Sequence, residues 1–103
     1  MKGWCTMATF INLLRFSGQS ASDIKESPAR LEQIKKAIQA FGGELKGFYV
    51  LMGQYDALLI VDAPDDEAAM KFALAAFSSG GIDTETMRAF TEEEFNNIIA
   101  SMP

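Results

Sequence analysis

The amino-acid sequence predicts a small α+β domain whose elements follow the order β-α-β-β-α-β, with a further helix at the end. Three observations lead to this prediction. Strand-like runs alternate with segments of helical period, glycine pairs follow the two longer helical segments, and two strand-like runs are apolar at nearly every position. The chain has 103 residues, of which 49% are hydrophobic and 22% charged, the size and balance of one globular domain.

The first strand is predicted over Ala8–Phe16, a run of aromatic and branched residues that ends at the turn-forming segment 17–20. Residues 1–7 have no regular pattern, so we expect a flexible N-terminal extension followed by a single domain over residues 8–103. Cys5 lies in this extension. Because it is the only cysteine of the chain, it cannot form an internal disulfide.

A first helix is predicted to begin at Ser27 and Pro28. Serine is a favoured N-cap, and proline suits the first helical position because its missing N–H has no partner there anyway. Gly42 and Gly43 are expected to end the helix. Its apolar residues recur at spacings of three and four and form one stripe: Leu31, Ile34, Ile38 and Phe41.

Two strands are predicted over Glu44–Met52 and Asp56–Asp62, close enough in sequence to form a hairpin. Strict alternation along the first of them places Tyr49 on the side shared with Leu45 and Leu51. Tyr49 is therefore expected to be a core aromatic whose hydroxyl lies at the rim.

A second helix is predicted from about residue 66 to 79, with a cap from Asp65 or the aspartate after it, and a fourth strand over Ile82–Phe90. Thr91 and Glu94 have the spacing of a capping box, which predicts the start of a short last helix. One side of that helix is apolar: Phe95, Ile98, Ile99 and Met102.

This element order predicts the ferredoxin-like arrangement, an antiparallel four-stranded sheet with both main helices on one face. The first and third strands are then central, and their nearly continuous apolar sequence indicates that both of their faces are buried. Two helices cover one face only. We therefore predict a homodimer joined through the other face of the sheet.

Composition excludes several classes of function. The formal charge is −5 and the chain has no histidine, which argues against a nucleic-acid partner and removes the usual general base near neutral pH. Apolar runs are too short to span a bilayer, and neither a signal-peptide pattern nor a phosphate-binding glycine motif occurs, so we expect a cytoplasmic protein without membrane contact, metal or cofactor.

Polar residues placed among apolar ones are the candidates for a site. The segment from Gly53 to Asp56 crowds an amide, a phenol and a carboxylate at the entry of a buried strand; it either lines the mouth of a pocket or forms an ordinary β-turn. Arg88 is either an anion anchor or an ordinary residue that is solvated or lies at the dimer rim. The predicted ligand-binding residues are Asn12, Tyr49, Gln54, Tyr55, Asp56 and Arg88, and no catalytic residue is assigned.

Several strings of this chain resemble the GYD-domain family of small bacterial proteins, over about Met7 to Met102. The namesake motif stands here as Gly53-Gln54-Tyr55-Asp56, with Gln54 inserted after the glycine as is usual in the family. The resemblance implies a dimeric α+β-barrel fold. It implies no reaction, because none is established for the family. The other matching strings are Lys25–Leu31, Ala63–Ala69 and Arg88–Glu94.

The sequence is consistent with three functions. The first is a regulatory or accessory protein that binds a small, partly apolar molecule in a pocket. The second, suggested by resemblance to the wider group of dimeric α+β barrels, is a cofactor-independent mono-oxygenase or isomerase. Its base would be Asp56 or another buried carboxylate, and its proton donor Tyr49 or Tyr55. The third is a purely structural or protein-interaction module.

Overall fold

The computed structural model describes residues 7–16, 24–78 and 82–103. Within these residues one antiparallel sheet has the strand order β2-β3-β1-β4, so that β1 and β3 are central as predicted. The strands are β1 (Ala8–Phe16), β2 (Glu44–Val50), β3 (Ala57–Ala63) and β4 (Ile82–Ala89).

Three helices complete the predicted order and give an α+β fold of the ferredoxin-like type. They are α1 (Ser27–Ala40), α2 (Asp66–Ser78) and α3 (Glu92–Ser101). No helix in the described part of the chain is long and apolar enough to cross a membrane. The predicted flexible extension, apart from Met7, and Cys5 within it lie outside the described residues.

The start of α2 and the end of α1 lie where local signals predicted them. The Asp65 carboxylate accepts a hydrogen bond from the Ala68 N–H at 2.8 Å and caps α2 as predicted, and Gly42 ends α1 with a φ of 84°. The predicted N-cap Ser27 is wrong. A 3-10 turn over Ile24–Glu26 leads directly into α1, so Ser27 is already helical and the cap position is Glu26, which makes no side-chain cap bond.

The main core lies between one face of the sheet and the helices α1 and α2. Alternate residues of β1 and β3 point to this face, which gives β3 a strict alternation of buried and partly exposed positions. The side chains of the largest buried cluster are Leu14, Ile38, Ala57, Leu59, Val61, Phe72 and Ile82.

The opposite face of the sheet carries a second apolar surface, which we call the open-face patch. Leu13 pairs with Leu58, and Ile11 pairs with Ile60, so that these side chains form two neighbouring rows across the central strands. Helices α1 and α2 pack on the other side. The patch consists of Ile11, Leu13, Tyr49, Leu58, Ile60 and Met87, all of which are partly or largely exposed.

Helix α3 begins as predicted with a complete capping box. The Thr91 hydroxyl accepts from the Glu94 N–H at 3.1 Å, and the Glu94 carboxylate accepts from the Thr91 N–H at 2.8 Å. No residue of α3 is buried. Its predicted apolar side is therefore exposed, and we call it the α3 stripe: Phe95, Ile98, Ile99 and Met102.

Candidate functional site

The segment that follows β2 is fixed by backbone contacts of Asp56. Its N–H donates to the Leu14 carbonyl at 2.8 Å, and its carbonyl accepts from the Leu51 N–H at 2.9 Å. Its carboxylate accepts from the Phe16 N–H at 2.8 Å. Gly53 supplies the positive φ, 124°, that the turn requires. Asp56 thus ties the end of β1 to the β2–β3 turn.

Tyr55 takes part in a polar cluster at the same end of the sheet. Its hydroxyl donates a hydrogen bond to Glu85, and the Arg15 guanidinium lies 5.1 Å from the centre of its ring. Arg15 Nε also donates to the Gln54 carbonyl at 3.2 Å. The hydrogen bond to Glu85, together with burial and the nearby negative charge, raises the pKa of Tyr55 above its usual value. Tyr55 therefore stays protonated at neutral pH.

Tyr49 lies on the face opposite to the predicted one. The register of β2 against β3 shifts between Leu45 and Gly47, because one extra residue forms a β-bulge there. After the bulge Tyr49 stands opposite Leu58, on the open face, and is 59% exposed. The prediction of a core aromatic is wrong for this reason.

Asn12 is buried in the middle of β1, on the face that the helices cover. Its side chain is 2% exposed, and its Oδ1 accepts a hydrogen bond from the Thr86 hydroxyl at 2.6 Å. A buried amide needs a hydrogen-bond partner, and Asn12 has one across the β1–β4 pair.

Arg88 makes contacts that link β4 to α3. Its Nη1 donates to the carbonyls of Thr9, at 3.3 Å, and Ala89, while Nη2 lies 3.5 Å from the Glu94 carboxylate. The guanidinium also stands 4.3 Å from the centre of the Phe90 ring. The Thr91 N–H, and secondarily Arg88, hold the pKa of Glu94 below its usual range.

These contacts separate the six predicted residues into three places. Gln54, Tyr55 and Asp56 come together at the β2–β3 turn; Tyr49 lies on the open face, and Asn12 and Arg88 project on the helix-covered side. They do not frame a single pocket. Across the described residues no three acidic or sulfur side chains come together to hold a metal ion. The polar partners that the sequence did not identify are Arg15, Glu85 and Thr86. The contact between Arg88 and Glu94 was not predicted either.

A cavity of ≈ 240 Å³ lies between α1 and the sheet, at the end that Asp56 fixes. Its residues come from the first half of α1, from the ends of β1 and β2 and from the start of β4. The sequence did not predict this place, since its residues other than Arg30 are apolar and carry no signal that separates them from the core. The described residues that line it are Leu14, Phe16, Arg30, Leu31, Ile34, Phe48, Val50 and Ile82.

Comparison with known proteins agrees with this architecture. A protein of Thermus thermophilus named "Glutamine synthetase and cystathionine beta-lyase binding protein" is 27% identical over 84 residues, which cover 81% of this chain and 88% of that protein. The crystal structure of MtbAldR matches with a TM-score of 0.65 at 13% identity. It covers 89% of this chain, which spans 59% of MtbAldR, and at this identity it supports the fold alone.

The family assignment rests on the length of chain that the family model matches. The model described as GYD domain covers residues 10–99, from the first strand to the last helix. The Gly53-Gln54-Tyr55-Asp56 motif lies within this match. The chain belongs to the GYD-domain family.

Proposed function

We propose that this chain is a non-enzymatic binding protein with a regulatory or accessory role, which acts in the cytoplasm as a homodimer joined through the open-face patch. The observation that carries the proposal is the patch itself. Leu13, Leu58, Ile11 and Ile60 form a continuous apolar surface on the sheet face that α1 and α2 leave uncovered. Surfaces of this kind mark interaction sites.

The surroundings of the patch support an interface. At one end of the face the Thr9 hydroxyl donates to the Asp62 carboxylate at 3.0 Å. At the other end lie Arg15 and Tyr55 with their shared contacts. An apolar centre with a polar rim is the usual composition of a protein interface, and a twofold axis would place the same surface on both partners.

The area of the sheet face alone is smaller than that of a standard interface, so we infer that the α3 stripe belongs to the same interface. Four strands about 4.8 Å apart, with about five residues each at 3.3 Å, give a footprint of roughly 320 Å². A standard interface buries about 800 Å² on each partner. The α3 stripe, with Phe95 at 55% and Met102 at 61% exposure, supplies further apolar surface on the helix that follows β4 in the chain.

The name of the Thermus thermophilus relative states that it binds two enzymes. This supports a role in binding other proteins. We infer that this chain also binds proteins, with the dimer as the binding unit. The engagement of Asp56 and Tyr55 with Phe16 and Glu85 favours this reading over the enzyme hypothesis, because both groups already have partners within the chain.

The dimer is tested by light scattering after gel filtration and by native mass spectrometry. Wild type is expected to be a dimer at micromolar concentration, and Ile60→Glu to be a monomer, because it places a charge at the centre of the patch. Leu74→Glu is the matched control, since Leu74 is 58% exposed on α2, away from the patch. Ile99→Glu should weaken the dimer. A wild-type monomer, or an unaffected Ile60→Glu dimer, would refute the interface.

Binding to other proteins is tested separately. The two enzymes to test are glutamine synthetase and cystathionine beta-lyase from the organism that encodes this chain. Each purified enzyme is passed over immobilised wild type and over the monomeric Ile60→Glu variant. Saturable binding to wild type, lost or weakened in the monomer, is the expected result. If neither enzyme binds, the inference about these two partners fails while the dimer result stands.

A further inference from the structure

We propose that the open-face patch accepts a second copy of this chain in one orientation, with β2 of each protomer facing β4 of its partner. This inference rests on the proposed dimer and adds which side chains meet across it. Two contacts specify the orientation. Met87 of one protomer packs on the partner's Gly47, and the Tyr49 hydroxyl of one protomer donates a hydrogen bond to the partner's Glu85.

Two rows of residues cross the open face from β2 to β4. Paired residues of antiparallel strands point to the same side of a sheet, so the register defines each row. In the strand order β2-β3-β1-β4, the first row consists of Gly47, Ile60, Ile11 and Met87. The second row consists of Tyr49, Leu58, Leu13 and Glu85. Each row therefore has an aliphatic middle and two unlike ends.

The ends of the first row are a recess and a projecting side chain. Gly47 has no side chain, and a Cβ placed there would lie 3.3 Å from Ile60 Cδ1 and 3.5 Å from Tyr49 Cε2. The recess is therefore bordered by an aliphatic group and an aromatic ring. Met87, at the other end, is 39% exposed. Because a methionine side chain adapts to irregular gaps and its sulfur contacts aromatic rings favourably, Met87 fits the partner's recess.

The ends of the second row are a hydrogen-bond donor and an acceptor. Tyr49 is 59% exposed, and its hydroxyl has no hydrogen-bond partner among the described residues. The Glu85 carboxylate accepts from Tyr55 within its own chain, and a carboxylate can accept further hydrogen bonds. An unpaired polar group costs free energy when an interface buries it. Tyr49 and the partner's Glu85 each supply what the other needs.

One twofold axis satisfies both rows. Packed sheets commonly keep their strands within about 30° of each other, which leaves two axes to compare. An axis parallel to the strands, between β3 and β1, packs each row on its own copy with the ends exchanged. An axis perpendicular to the strands packs each strand on its own copy, which places Glu85 against the partner's Met87. Methionine donates no hydrogen bond, so burial of the carboxylate would be costly there, and the parallel axis is favoured.

The orientation is tested by thiol cross-linking of the full chain in a Cys5→Ser background, since Cys5 is the only natural cysteine. The two test pairs are Tyr49→Cys with Glu85→Cys and Gly47→Cys with Met87→Cys. Within one chain the members of each pair lie three strands apart, about 14 Å. A bis-maleimide that spans the roughly 10 Å between packed sheets is expected to give covalent dimers with both pairs.

The matched control is Gly47→Cys with Tyr49→Cys, because both positions lie on β2. In the proposed orientation β2 faces the partner's β4, so the control should give little covalent dimer. A control yield equal to or above that of both test pairs would overturn the orientation and leave the dimer in place. A wild-type monomer in light scattering would instead refute the dimer itself. The second pair keeps the test valid if one substitution disturbs its strand.

The Tyr49–Glu85 bond is tested through the dissociation constant of the dimer, measured by sedimentation equilibrium. Tyr49→Phe should raise this constant roughly tenfold, the effect of losing a hydrogen bond to a charged group. In a Glu85→Ala background the same change should have almost no effect, because the acceptor is already absent. An equal effect of Tyr49→Phe in both backgrounds would overturn the contact.

Discussion

The Asp56 carboxylate accepts a hydrogen bond from the backbone N–H of Phe16 at 2.8 Å, across 40 positions of sequence. The same residue bonds to Leu14 and Leu51 through its own backbone. One aspartate therefore connects the ends of three strands, and its side chain accepts from a partly buried backbone N–H.

Replacing Asp56 is expected to destabilise the fold. Asp56→Ala leaves the Phe16 N–H without this acceptor, which should lower the free energy of unfolding by about 1–3 kcal/mol. Asp56→Asn keeps an oxygen that can accept the same bond and should cost less. Urea denaturation of the three proteins measures the difference. Equal stability of wild type and Asp56→Ala would show that the bond contributes nothing.

The raised pKa of Tyr55 gives a prediction with a definite sign. The neutral hydroxyl donates to Glu85 in the folded state, so the folded pKa lies above the unfolded value of about 10. The contribution to stability is fully present below pH ~10 and is lost as the pH rises through the folded pKa. The stability difference between wild type and Tyr55→Phe should therefore be constant near neutral pH and shrink in alkali.

The titration itself can be followed by tyrosinate absorbance. The chain has two tyrosines, so Tyr49→Phe leaves Tyr55 as the single reporter. Its pKa is expected above ~10 and should fall when Glu85→Gln removes the neighbouring negative charge. A pKa at or below the ordinary tyrosine value would contradict the Tyr55–Glu85 contact.

Local signals predicted the fold well because they depend on residues close in sequence. The caps at Asp65 and at Thr91 with Glu94 each involve residues three positions apart. The sheet order followed from the topology rules for two right-handed crossovers. The assignment of Ser27 as a cap failed because the preceding 3-10 turn, which extends the helical backbone, was not recognised.

The site was less predictable because its contacts join distant residues. The bond from Thr86 to Asn12 depends on the register between β1 and β4, which alternation alone does not define. Tyr49 changed face at the bulge near Gly47, and a glycine inside a strand was the available signal for that bulge. The cavity had no polar signature beyond Arg30, so composition gave no reason to separate it from the core.

Removing Arg88 should loosen α3. Its guanidinium joins Thr9 and Glu94, and α3 has no residue that is buried within its own chain. In Arg88→Ala, amides of residues 92–101 are expected to exchange with deuterium roughly two- to fivefold faster, the size of effect typical of an exposed ion pair. Lys46→Ala, which removes the surface pair with Glu44, is the control. Unchanged exchange in α3 would refute the link.

The buried amide of Asn12 can be tested with a double-mutant cycle. Thr86→Val removes the donor and leaves Asn12 Oδ1 without it on a side chain that is 2% exposed, which should cost about 1–3 kcal/mol. Asn12→Leu removes the need for that donor and is similar in size. In this background Thr86→Val should cost almost nothing, because the Thr86 side chain is exposed.

The coupling energy from this cycle is therefore expected to equal most of the cost of the single Thr86→Val change. Urea denaturation of the four proteins provides it. A cost of Thr86→Val that is the same with Asn12 and with Leu at position 12 would mean that the amide does not depend on this hydroxyl. Since β1 and β4 meet at this pair, a strong coupling would also identify Asn12 as a residue that specifies their register.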